Sequence, residues 1–117
     1  MRRRPLALLA ALLLLLTPLL YAAAPVRAAV DVAKQVLIGA DYANKDLVGA
    51  TFNLSNLREA DLSGSDLRGA SLYGAKLQDA DLSDTDLREA TLDSAVMTGT
   101  NLSNAVMEGA FAFNTRF

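Results

Sequence analysis

From Ala40 to the last residue the chain places a large or apolar residue at every fifth position, and no ordinary element has that period. The series reads Tyr42, Leu47, Phe52, Leu57, Leu62, Leu67, Leu72 and Leu77, and continues through Leu82, Leu87, Leu92, Met97, Leu102, Met107, Ala112 and Phe117. Two residues before each central position stands a small one, as at Ala40, Ala50, Ser55, Ala60, Ser65, Ala70 and Thr85, with Lys45 breaking the pattern. A helix repeats near 3.6 residues and a strand at 2, so a period of five is neither. Within one repeat, however, the small and large residues are two apart, and in extended backbone such positions point to the same face. Two places after the central residue, glycine recurs (Gly49, Gly64, Gly69, Gly74, Gly99, Gly109), alternating with Asn44, Asn104, Asn114 and acids. Glycine and asparagine accept the positive φ of tight turns. Each repeat therefore predicts a short inward-facing side followed by a corner, and the chain predicts a coil.

The units Ala60-Asp-Leu-Ser-Gly64, Ser65-Asp-Leu-Arg-Gly69 and Ala80-Asp-Leu-Ser-Asp84 resemble those of the pentapeptide-repeat family. The resemblance runs without a phase slip over residues 40–117. It implies an all-β fold, a right-handed quadrilateral β-helix with four pentapeptides per coil. Nearly four coils would then stack at a strand spacing of about 4.8 Å. Residues twenty apart would form inner columns, such as Leu47, Leu67, Leu87 and Met107.

The chain before the repeats divides in two. Arg2, Arg3 and Arg4 precede an apolar run from Leu6 to Ala24, and Pro25-Val26-Arg27-Ala28 follows with small residues where a signal peptidase reads. Charged start, apolar middle and small-residue exit describe a secretory signal peptide over residues 1–28, cleaved after Ala28. An uncleaved membrane anchor is the rival reading, and only that reading brings the chain to a membrane. Residues 29–39 read as a cap segment: Asp31 caps a short helix over residues 32–38, and Gly39 stops it. The alternative extends the coil back to Leu37.

Composition narrows the chemistry. With no cysteine and no histidine, thiolate and imidazole metal sites and every nucleophile–histidine arrangement are excluded. No catalytic, cofactor-binding or metal-binding residue is assigned. From Asp41 onward six bases face twelve acids, a balance of −6, which disfavours direct nucleic-acid binding.

Two outward features remain as candidate surfaces. The residue before each central position should point outward, so stacking aligns Asp41, Asp61 and Asp81 in one column and Asp46, Asp66 and Asp86 in the next, a candidate acidic docking face. Arg68 and Arg88 should stack with Glu108 above them. Near the C-terminus the outer positions turn apolar at Val96, Val106, Phe111 and Phe113, and the chain stops on Phe117 without a capping element. A homodimer through that end, an unknown protein partner docking there, and a shortened version of a longer protein are all compatible with this pattern. The function expected is a non-enzymatic interaction or scaffold module. The signal implies export, and the resemblance to exported family members implies the periplasm or the thylakoid lumen. A DNA-mimicking topoisomerase-binding protein is the alternative, motivated by the acidic surface and opposed by the export signal.

Overall fold

Seventeen consecutive corners, one every five residues from Lys34 to Asn114, have φ between +53° and +74°. That left-handed turn is what bends the chain. At most corners the central residue's carbonyl accepts the N–H three residues on, as in Ala60 N–H to Leu57 O at 3.1 Å and Ala75 N–H to Leu72 O at 3.0 Å. A positive φ at the third residue of such a turn is the geometry that favours glycine. Seven corners are glycine, and the other ten are Lys34, Asn44, Leu54, Glu59, Asp79, Asp84, Glu89, Ser94, Asn104 and Asn114.

The computed structural model describes residues 29–117; the signal-peptide reading lies outside the described residues. Within them the backbone alternates one bridging residue with one turn, and contains neither a helix nor an extended strand. Fourteen parallel bridges join residues twenty apart, so four pentapeptides close one coil. The first side carries the ladder Asp31–Thr51–Ser71–Thr91–Phe111 and the second Val36–Asn56–Lys76–Val96–Arg116. The third carries Asp41–Asp61–Asp81–Asn101 and the fourth Asp46–Asp66–Asp86–Val106. Central N–H groups donate up the coil, as Leu57 to Lys76 O at 2.7 Å, while bridging N–H groups donate down it, as Asn56 to Gln35 O at 2.9 Å. The β character thus resides in single-residue bridges, because a side of the coil is too short for a longer strand.

The inside is filled by the two residue classes that the period identifies. Phe52, Leu57, Leu62, Leu67, Leu72, Leu77, Leu82, Leu87 and Leu92 are fully buried, and Ala50, Ala60, Ala70, Ala75, Ala80, Ala90 and Ala95 lie between them. Where the small residue is polar its hydroxyl turns back on the chain: Ser55 Oγ donates to Phe52 O at 2.6 Å and Thr85 Oγ1 to Leu82 O at 2.7 Å. This removes the cost of an unpaired buried donor. At the lower end Tyr42 packs edge-on against Phe52, with ring centroids 5.5 Å apart. Lys45, the residue that breaks the small-residue series, is exposed.

The cap helix does not form. Residues 31–39 continue the coil: Val32 N–H donates to Thr51 O at 2.9 Å and Leu37 N–H to Asn56 O at 2.8 Å, while Lys34 and Gly39 take the corner conformation. Asp31 does cap, but it caps a corner, with Oδ1 accepting the Ala33 N–H at 3.1 Å. The reason is energetic. A seven-residue helix is below the length at which nucleation is repaid, and Val32, Val36 and Ile38 are β-branched. The coil offers Val32 and Leu37 the edge of an existing core. The boundary at 39/40 therefore disappears, and the coil starts at Asp31.

Because the interior is filled by buried apolar side chains, it should tolerate neither voids nor excess volume. Replacing Leu72, which is fully buried, with alanine is expected to cost about 2–5 kcal/mol. The converse change Ala75→Leu should also destabilise, by roughly 1–3 kcal/mol through overpacking. Thermal unfolding followed by circular dichroism measures both.

Candidate functional surface

The acidic columns stand where the period puts them, but each carboxylate is tied to the backbone beneath it. Oδ1 of Asp41, Asp61 and Asp81 accepts the N–H two residues on at 3.0, 2.9 and 2.9 Å, and Ser63 Oγ also donates to Asp61. Asp46, Asp66 and Asp86 accept the corresponding N–H at 3.4, 3.2 and 3.2 Å. These local bonds support the corner. A hydrogen bond from the Ser83 side chain holds the Asp81 carboxyl below the usual carboxylate range.

On the fourth side the acids are also paired with arginine. The Arg68 guanidinium donates to both oxygens of Asp66, at 2.7 Å through Nη2 and 2.9 Å through Nε, and lies 3.8 Å from Asp86. Arg88 clamps Asp86 in the same bidentate way. The partner of each arginine is thus the aspartate two residues earlier on its own turn, where stacking alone had pointed to Glu108. Hydrogen bonding from Arg88 pulls the Asp86 carboxyl down to about 2, against the opposing effect of desolvation. Hydrogen bonding from Arg68 likewise lowers Asp66. Beside these clamps runs a shallow groove of about 480 Å³ lined by Val48, Gly49, Arg68, Gly69, Arg88 and Glu89. Among the described residues no group of three or more carboxylates is placed to hold a metal ion.

The apolar residues near the C-terminus do not form one patch. Phe111 and Phe113 flank Ala112 on the first side, 63% and 75% exposed, and Val106 stands exposed on the adjoining fourth side. Phe117 is exposed on the second side. Val96, bridged between Lys76 and Arg116, is partly covered and stands apart from them. Above them the backbone N–H groups of Leu102, Met107 and Ala112 donate to no carbonyl among the described residues, unlike their counterparts lower in the coil. Sequence reasoning missed a second set of exposed apolar side chains at Val36, Ile38, Leu54 and Tyr73. Their positions in the five-residue frame marked them as outward-facing and carried the signal.

A family model for pentapeptide repeats matches residues 36–69 and 70–109, in eight copies. The chain belongs to the pentapeptide-repeat family. Among solved structures, a pentapeptide-repeat protein from the thylakoid lumen of Arabidopsis thaliana is 43% identical with a TM-score of 0.71, the match covering 73% of this chain and 59% of that one. HetL, a pentapeptide-repeat protein involved in heterocyst differentiation regulation in the cyanobacterium Nostoc sp. strain PCC 7120, is 34% identical with a TM-score of 0.65, covering 69% and 38%. A third, Rfr23 from the cyanobacterium Cyanothece 51142, is 33% identical with a TM-score of 0.54, covering 81% and 66%. The pentapeptide-repeat chain thus spans less than two thirds of the length of the first two. A search of curated proteins returns no match.

The clamp makes a pH prediction with a definite sign. A carboxyl whose folded value lies near 2, against about 3.9 unfolded, stabilises the fold above the unfolded value and loses that contribution as pH falls through the folded one. Carboxyl NMR titration should therefore find Asp86 ionised until near pH 2. In Arg88→Ala its midpoint should move up toward the ordinary aspartate range.

Proposed function

We propose that this pentapeptide-repeat chain is a non-catalytic protein-interaction module that works outside the cytoplasm. The observation that carries the reading is the filled core: leucine and alanine, with Phe52, Met97 and three backbone-bonded hydroxyl residues, occupy the interior. Asp, Arg and Lys therefore stand on the exterior, where the groove beside Arg68 and Arg88 is shallow and open, whereas catalysis asks for a concave, water-excluding site. Such a coil offers surfaces to a partner. Export rests on the charged, apolar and small-residue succession of residues 1–28. It is supported by the thylakoid-lumen origin of the 43%-identical relative; the periplasm is the other compartment compatible with such a leader.

The docking surface proposed is the upper end of the coil, with Phe111 and Phe113 as its apolar anchors and Val106 and Phe117 at its margins. Exposed aromatic side chains there supply the apolar area that a docking surface needs.

Two measurements test these statements. Fractionation with N-terminal sequencing should recover a processed form beginning at Ala29, and an unprocessed cytoplasmic form would overturn the compartment. Light scattering on the wild type and on Phe111→Ser/Phe113→Ser identifies the occupant of the end. A mass that halves in the variant assigns a second copy to the end; an equal mass in both assigns a different protein.

A further inference from the structure

Charge is divided unequally around the coil. The third and fourth sides carry nine acids (Asp41, Asp46, Asp61, Asp66, Asp81, Asp84, Asp86, Glu89, Glu108) against Lys45, Arg68 and Arg88, a balance of −6. On the first and second sides Asp31, Glu59, Asp79 and Asp93 are matched by Lys34, Arg58, Lys76 and Arg116, a balance of zero. Two copies of this chain repel through the acidic half and meet no net repulsion through the other.

The neutral half also carries an apolar knob whose construction is costly. Among the described residues Leu54 is the only aliphatic one at a left-handed corner, with φ +57°, and it is 53% exposed. A branched apolar residue gains nothing from that conformation, unlike the asparagines, acids and glycines elsewhere in the series. Its N–H donates to Tyr73 O at 2.8 Å, and the Tyr73 side chain is exposed beside it. One coil above, Gly74 leaves the space Leu54 fills: a Cβ there would come within 2.6 Å of Leu54 Cδ2. Strain, exposure and a vacated neighbour coincide at one corner between the first and second sides.

We propose that this corner is a lateral self-association surface, occupied by a second copy running antiparallel. A two-fold axis perpendicular to the coil, level with the gap between Leu54 and Tyr73, brings the two knobs together. The same operation sets Lys34, one coil below Leu54, at the level of the partner's Asp93, one coil above Tyr73. Asp93 uses Oδ1 to accept the Phe113 N–H at 2.7 Å, and its other oxygen is left to receive the ammonium. Knob against knob supplies the apolar contact and Lys34–Asp93 sets the direction, each occurring twice by symmetry. The surface borders the coil end proposed above at Asp93 and Phe113, but its apolar contact, Leu54 with Tyr73, lies two coils lower.

The test uses the absence of native cysteine. In the processed chain carrying Phe111→Ser/Phe113→Ser, so that the coil end is silent, Leu54→Cys should form a covalent dimer under mild oxidation. Asp84→Cys, a corner of the same geometry on the acidic third side, should not. In sedimentation equilibrium on the same background without added cysteine, Lys34→Asp should weaken the dimer roughly tenfold or more. Adding Asp93→Lys to it should restore the association, a rescue that no purely structural effect produces. Equal crosslinking at residues 54 and 84, or a swap that fails to rescue, overturns the proposal. A chain monomeric at all concentrations that instead sediments with anionic vesicles overturns it in favour of a lipid-facing side. Either failure leaves the coil-end reading to be judged by its own measurement.

Discussion

Everything in this molecule depends on a corner recurring every five residues in a backbone region that most residues avoid. A single left-handed residue costs an L-amino acid on the order of 1–2 kcal/mol when it is not glycine, and ten of the seventeen corners are not glycine. The coil recovers that cost through the hydrogen bonds that each corner makes possible. Most turns close on themselves, and those below the last coil hand one N–H to the coil above, so a corner that relaxed there would lose its bonds and expose core residues. The acids and asparagines beside the corners add a third attachment by accepting the N–H two residues ahead. The regularity of the fold is the regularity of this local exchange.

That dependence explains where chemistry can reside. The interior admits only one small and one large apolar residue per side, and the few hydroxyls that enter it are turned back on the backbone. Charge is confined to the outside, where much of it is already engaged: Arg68 and Arg88 are locked onto Asp66 and Asp86. The side chains left with no structural task are the exposed apolar ones. These are concentrated on the first and second sides and at the upper end, away from the acidic ladders.

The core was legible in the sequence because the period acts on residue type directly: Leu62, Leu82, Ala60 and Ala80 occupy the places their spacing assigns. The opening segment was not, because Val32-Ala33-Lys34-Gln35-Val36-Leu37-Ile38 satisfies a helical stripe and the five-residue frame at once, and only contact with the next coil decides between them. The arginine pairs were misread for a related reason. Stacking at twenty residues predicts neighbours along a column, but the guanidinium reaches two residues back along its own turn before it reaches the coil above. Leu54 was invisible as a corner because the frame identifies the position while the residue type argues against it. Of the C-terminal set, Val96 separates from the rest because bridging from above and below covers it.

The twenty-residue register has a consequence for how such a chain can vary in length. Removing twenty residues takes out one floor and returns each ladder to itself, so the third side stays acidic and the second stays mixed. Removing five leaves every corner and every core residue valid, yet turns all that follows by a quarter. Without residues 61–65, Asp66 would stand on Asp41, Lys76 on Thr51 and Asp81 on Asn56. The fold would not register the change, but the pattern displayed to a partner would be rewritten above the cut. In this architecture stability and surface identity are inherited separately, the first through steps of five and the second only through steps of twenty.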